Sequence, residues 1–151
     1  MKTIFLTALL VFAMALLGCG GTDENPDASA TPGGSGLSAE LTETGENGRT
    51  FQYILTNNSD SDVTLTFSSG QEYNYILWRN ETMVYSYEQV RSFIQAFHER
   101  TLKPDESLVY DIALEEYPPD TYVLEAYMTL YEPDQESPAE YRQTLTFTIA
   151  D

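Results

Sequence analysis

The chain has one cysteine, Cys19, so no intrachain disulfide can form. It has one histidine, His98, and one tryptophan, Trp78. Basic residues are scarce: Lys and Arg number 7 against 24 Asp and Glu, for a formal net charge of −17. Such a surface repels phosphate backbones, which excludes nucleic acid as a partner. It also repels acidic lipid headgroups, so membrane attachment requires a covalent or apolar anchor. The acidic balance serves solubility, and it also suits a salty or alkaline medium. The long apolar run at residues 4–17 is broken only by Thr7. It falls short of the roughly 20 residues needed to cross a bilayer. No parallel βαβ rhythm and no internal repeat is present.

The N-terminus has the pattern of a secretory signal. Lys2 precedes the apolar run, and Leu16-Leu17-Gly18-Cys19 ends it. That tetrapeptide resembles a bacterial lipobox, which implies lipid attachment to the Cys19 sulfur and cleavage before it. Residues 1–18 are thus expected to be a lipoprotein signal peptide. The expected location is the extracytoplasmic face of the cell membrane, held by the lipid. Residues 19–36 are expected to be the lipidated cysteine and a disordered acidic linker, because no large aliphatic or aromatic side chain occurs there. Residues 37–151 are expected to form the folded domain.

Within that domain the dominant pattern has period two, the mark of strands with one face buried. Val63, Leu65 and Phe67 alternate with threonine and serine. Ser68-Ser69-Gly70-Gln71 interrupts them with turn chemistry. Tyr73-Asn74-Tyr75-Ile76-Leu77-Trp78 follows, apolar or aromatic on both faces, as a central strand would be. These two runs are expected to pair. Phe51, Tyr53 and Leu55 alternate, and so do Leu108 to Leu114, Tyr122 to Leu130, and Leu145 to Ile149. With shorter runs at Leu37 to Leu41 and Met83 to Tyr85, some eight short strands argue for an all-β sandwich or barrel.

One segment reads two ways. Val90, Phe93, Ile94 and Phe97 have helical spacing, and Ser86 with Gln89 suits a capping box. Phe93, Gln95 and Phe97 also alternate as in a strand. A short helix near 87–97 is expected.

The search for chemistry finds no assembled site. Nucleophilic catalysis needs Ser or Cys beside a base. Cys19 is assigned to lipidation, and His98 sits beside Glu99 and Arg100, which suggests a wet surface. Asn58-Ser59-Asp60-Ser61-Asp62 mimics the start of a calcium loop, but Val63 stands where Gly belongs and Ser69 where Glu belongs. Trp78, Tyr73 and Tyr75 suit core and sheet surface better than a carbohydrate platform. No catalytic residue, metal ligand or cofactor is assigned.

Several stretches resemble the BsuPI family, the intracellular proteinase inhibitor domain. In order they are Leu55-Thr56-Asn57-Asn58-Ser59, the run from Val63 to Gln71, Phe93-Ile94-Gln95-Ala96-Phe97, Thr101-Leu102-Lys103-Pro104 and Thr121-Tyr122. The chain departs from the family at three positions: Asn74 replaces Asp, and Asp105 and Asp120 replace Gly after proline. The resemblance implies an immunoglobulin-like antiparallel β-sandwich and binding to proteinases. The expected function is therefore a membrane-tethered, non-enzymatic binding domain whose protein partner is an extracytoplasmic proteinase. The loops 57–61, 100–106, 115–120 and 132–138 are the candidates for the contact. The alternative is a structural or adhesive envelope module with no proteinase target.

Overall fold

The computed structural model describes residues 36–45, 47–114, 116–133 and 141–150. The signal-peptide segment, Cys19 and the linker up to residue 35 lie outside the described residues.

Among the described residues, nine strands and one helical turn follow in order. They are β1 (Leu37–Glu43), β2 (Thr50–Asn57), β3 (Val63–Phe67), β4 (Tyr73–Arg79), β5 (Thr82–Ser86), α1 (Tyr87–Val90), β6 (His98–Leu102), β7 (Ser107–Ala113), β8 (Asp120–Met128) and β9 (Gln143–Ile149). The sheets have the orders β1-β2-β7 and β5-β4-β8-β9, with β3-β6 as a separate pair. All pairings are antiparallel. This is the all-β sandwich expected from the alternation, and its strand order is of the immunoglobulin type.

The two larger sheets meet through their alternating apolar faces. Phe51, Tyr53 and Leu55 of β2 are buried, as are Tyr122, Leu124, Ala126 and Met128 of β8. The rings of Phe51 and Phe147 meet edge to face, with centroids 4.7 Å apart. At the opposite end Tyr73 of β4 stacks on Tyr110 of β7, with centroids 4.3 Å apart. Near the start of β8 the Tyr122 hydroxyl donates to the Pro118 carbonyl at 2.9 Å. That bond is the tyrosine corner typical of immunoglobulin-like sandwiches.

β4 is central, flanked by β5 and β8, as its two apolar faces required. Its expected pairing with β3 is not formed. β3 pairs with β6 instead, and the 68–72 turn carries the chain from one sheet to the other. β6 reads HERTL and buries only Leu102, so it lacks the alternation that marks a strand. Asn80 and Glu81 both have positive φ (49° and 62°) and form the two-residue turn between β4 and β5. Such a turn holds paired strands at their natural twist.

The short helix spans only Tyr87–Val90. Ser86 is its N-cap residue but makes no side-chain capping bond, and its Oγ is buried with no partner among the described residues. The capping box expected of Ser86 and Gln89 is therefore not made. The Asn74 carboxamide oxygen accepts from the Glu88 amide at 3.2 Å instead. Its nitrogen donates to the Tyr127 hydroxyl at 2.7 Å, so this buried polar side chain is paired at both ends. A carboxylate at this position would accept both bonds, which accounts for Asp as the alternative residue.

The two Asp-for-Gly departures resolve differently. Asp105 keeps positive φ, 63°, and carries the strain that glycine would avoid. Asp120 instead opens β8.

Candidate functional site

An exposed apolar segment runs from Val90, the last residue of α1, to β6. Val90 is 58% exposed, Ile94 79% and Phe97 65%. Tyr131, also exposed, packs against Phe97 edge to face with centroids 4.9 Å apart. A cluster of large exposed apolar side chains commonly marks an interaction surface, unlike scattered single ones. The stretch 89–97, QVRSFIQAF, contains one charge, Arg91, in a chain of net charge −17. It is one of several acid-free stretches of the chain, and it is set apart by the exposure of its apolar side chains.

The helix-like spacing of these residues misleads because few of them face the core. The chain leaves α1 at Arg91 in extended conformation (φ −120°, ψ 150°). Residues 91–97 then run without regular structure until β6 begins. The loop is nonetheless held at three points.

At its start, Tyr87 stacks on Tyr73 and Tyr75, with centroids 5.3 and 5.1 Å away. Phe93 packs on Tyr87 at 5.6 Å, and the Arg91 guanidinium lies 5.8 Å from the same ring. At the apex, the Ile94 carbonyl accepts from the Gly70 amide at 2.8 Å and from the Ala96 amide at 3.1 Å. At its end, the His98 ring stacks on Phe67 with centroids 5.0 Å apart.

Glu72 secures that last point. Its carboxylate accepts from Arg100 Nε at 2.8 Å and from the Tyr110 hydroxyl at 2.8 Å, and it lies 2.9 Å from His98 Nε2. Burial pushes the Glu72 carboxyl up, but hydrogen bonds from Arg100, Tyr110 and His98 outweigh it and leave it below the usual carboxylate range. Burial, and then the bond to Glu72, raise the Tyr110 hydroxyl well above its usual range. His98 is half-buried between Phe67 and Glu72. The wet surface expected from its sequence neighbours is therefore corrected: the β3–β6 register turns its ring inward. Among the described residues no group of three or more His, Cys, Asp or Glu is placed to hold a metal ion.

The four loops named from sequence have other roles or lie partly outside the described residues. In 57–61, the buried Asn57 amide nitrogen donates to the carbonyls of Ser61 and Leu102, and its oxygen accepts from Ser59. That side chain fastens the loop to β6. The 100–106 stretch is half strand; its turn is closed by the Glu106 amide on the Lys103 carbonyl at 3.0 Å and tied to the end of β2 by the Asp105 amide on the Asn57 carbonyl at 2.8 Å. The 115–120 stretch supplies the tyrosine corner, and its Glu115 is outside the described residues. Of 132–138, only 132 and 133 are described. Trp78 donates to Glu125 at 3.1 Å, while Tyr73 and Tyr75 belong to the tyrosine stack, so the three form no common platform. The exposed 90–97 segment was missed as a contact. An acid-free stretch could not have marked it, since 47–59, 63–71 and 141–150 lack acid as well.

The family model of the intracellular proteinase inhibitor, BsuPI, matches residues 37–132, and the chain belongs to that family. The match spans β1 to β8 and includes the whole exposed segment. No curated protein matches the chain. The family finding overturns the expected extracytoplasmic location. That expectation rested on Lys2, the apolar run at 4–17 and Cys19, all outside the matched domain, whereas the matched domain is that of an intracellular inhibitor.

Proposed function

We propose that this chain is a non-enzymatic inhibitor that binds a proteinase through residues 90–97. The observation that carries the reading is an apolar, nearly uncharged loop, exposed at Val90, Ile94 and Phe97 yet fastened at both ends and at its apex. A loop already held in one conformation loses little freedom on binding, so more of its contact energy appears as affinity. Family membership supports a proteinase as the partner.

The test is a titration of proteinases with the folded chain, following cleavage of a small chromogenic substrate. Stoichiometric loss of activity supports the reading. Replacing Ile94 and Phe97 together by serine should abolish inhibition while leaving the fold unchanged, since both are exposed. Unimpaired activity across proteinases of all mechanistic classes would refute it.

Acylation of the Cys19 thiol is a separate proposal, supported by Leu16-Leu17-Gly18-Cys19 alone. Metabolic labelling with a fatty-acid analogue should mark the wild type and not Cys19→Ala. Equal labelling of both would end it.

A further inference from the structure

The apex of the loop has a chemistry of its own. Ile94 is the most exposed large apolar side chain described, at 79%. Its side chain reaches solvent while its carbonyl oxygen is taken by two donors of the same chain, the Gly70 and Ala96 amides. A peptide bond under proteolytic attack must offer its carbonyl oxygen to donors of the enzyme, because charge develops there in the transition state. The Ile94 carbonyl is already committed to its own fold. The side chain is presented and the adjoining bond is withheld.

We propose, resting on the inhibitor reading above, that Ile94 enters an apolar specificity pocket of the proteinase and blocks the cleft without serving as a substrate. The occupant fits on three grounds. The stretch 89–97 has no acidic residue, so no carboxylate is desolvated when the loop enters a narrow cleft. Its single cation, Arg91, lies over Tyr87 and away from the apex. The Gly70 bond fixes the apex to the turn before β4, so the side chain arrives in a defined position. The chain remains intact throughout, and no covalent step is involved.

The experiment uses the full chain and a proteinase inhibited by it, chosen from enzymes that cleave after aliphatic or aromatic residues. Inhibition constants are measured for the wild type, Ile94→Asp and Val109→Asp. Val109 is also exposed and apolar but lies on β7, outside the loop. Ile94→Asp should weaken inhibition by about 100-fold or more, the upper range for losing one apolar group from a fitted pocket with a charge added. Val109→Asp should change it by less than about 3-fold, as a surface substitution outside the contact. Mass spectrometry after prolonged incubation should recover the inhibitor uncut at Ile94-Gln95.

The outcomes separate. A wild type that inhibits no proteinase refutes the inhibitor reading and this proposal with it. Inhibition that persists in Ile94→Asp, with native melting behaviour, refutes this proposal alone. Turnover by cutting at Ile94-Gln95 refutes the withheld bond. A wild-type dimer that Ile94→Asp dissolves would assign the apex to a second copy and overturn the proposal.

Discussion

The Gly70 amide donates to the Ile94 carbonyl at 2.8 Å, across 24 residues of sequence. One partner sits in the turn between β3 and β4, and the other at the apex of the loop before β6. β3 and β6 pair with each other, so the two connections leave the same small sheet and run side by side. The strand pair therefore fixes the loop as well as part of the core. Alanine at Gly70 fits: its Cβ would meet the Ile94 backbone at 3.7 Å, an ordinary contact, and the donor would remain.

The loop's foundation should fail at Phe67. Its side chain is fully buried, and the His98 ring stacks on it at the end of the loop. Phe67→Ala should cost about 3–5 kcal/mol, while Thr66→Ala, facing the other way on the same strand, should cost less than about 1 kcal/mol. Urea unfolding of the two variants measures the difference. Equal losses would contradict the register of β3.

Acid should release the loop before it unfolds the sandwich. The Glu72 carboxyl is held below its ordinary value of 4.5 in the folded chain. A depressed carboxyl stabilises the fold at pH above its unfolded value, and that stability is lost as pH falls through the folded value. The protection of the Gly70 and Ala96 amides, measured as exchange relative to the unfolded chain at the same pH, should therefore fall below about pH 4.5, the window in which a carboxylate gains its proton. Glu72→Gln should show the reduced protection already at pH 7, because all three of its donors lose a charged partner. Protection that acid leaves unchanged in the wild type would show that Glu72 does not hold the loop.

Alkali should act on the tyrosine stack. Tyr73 is raised from 10.0 to about 12, first by burial and then by Tyr87. Tyr75 and Tyr110 are raised further, again chiefly by burial. A raised folded value means that stability is complete below the unfolded value, near 10, and is lost as pH rises beyond it. The melting temperature should hold up to about pH 9.5 and then fall, with tyrosine ionisation delayed until unfolding. The ultraviolet absorbance of tyrosinate follows the ionisation. A smooth titration centred at the ordinary value, with no loss of structure, would show that the stack is open to solvent.

Much of this fold is written in alternation. Phe51, Tyr53 and Leu55, and Tyr122 to Met128, declare a buried face without help from the rest of the chain. β6 does not, because His98 to Thr101 are polar and their partners on β3, from Phe67 to Thr64, are distant in sequence. The loop was hidden for a related reason. Phe93, Ile94 and Phe97 have the composition of a core, and spacing alone assigns them to a buried helix face. Only their position after the tyrosine stack, with Phe93 packed and Ile94 and Phe97 turned out, shows that they serve a surface. Fixing Ile94 required the Gly70 bond, a contact between two backbones that no side-chain pattern encodes.

The final prediction concerns charge. A net charge of −17 leaves most carboxylates without a basic partner, since the chain has only 7 Lys and Arg. Repulsion among them opposes the folded state. Salt has two opposing effects. It screens that repulsion, and it weakens ion pairs such as Arg100–Glu72, where Arg100 is exposed. The Glu72 side of this pair is only 13% exposed and keeps its hydrogen bonds when the long-range field is screened. The repulsive term draws on many more charges than the attractive one, so screening should stabilise the fold. The melting temperature should rise between about 0.05 and 1 M sodium chloride, as the Debye length falls toward about 3 Å. The rise should be largest below about 0.2 M, where screening changes fastest. A flat curve would mean that the carboxylates are too widely spread to strain the sandwich. A fall would mean that the Glu72 cluster outweighs the whole acidic surface.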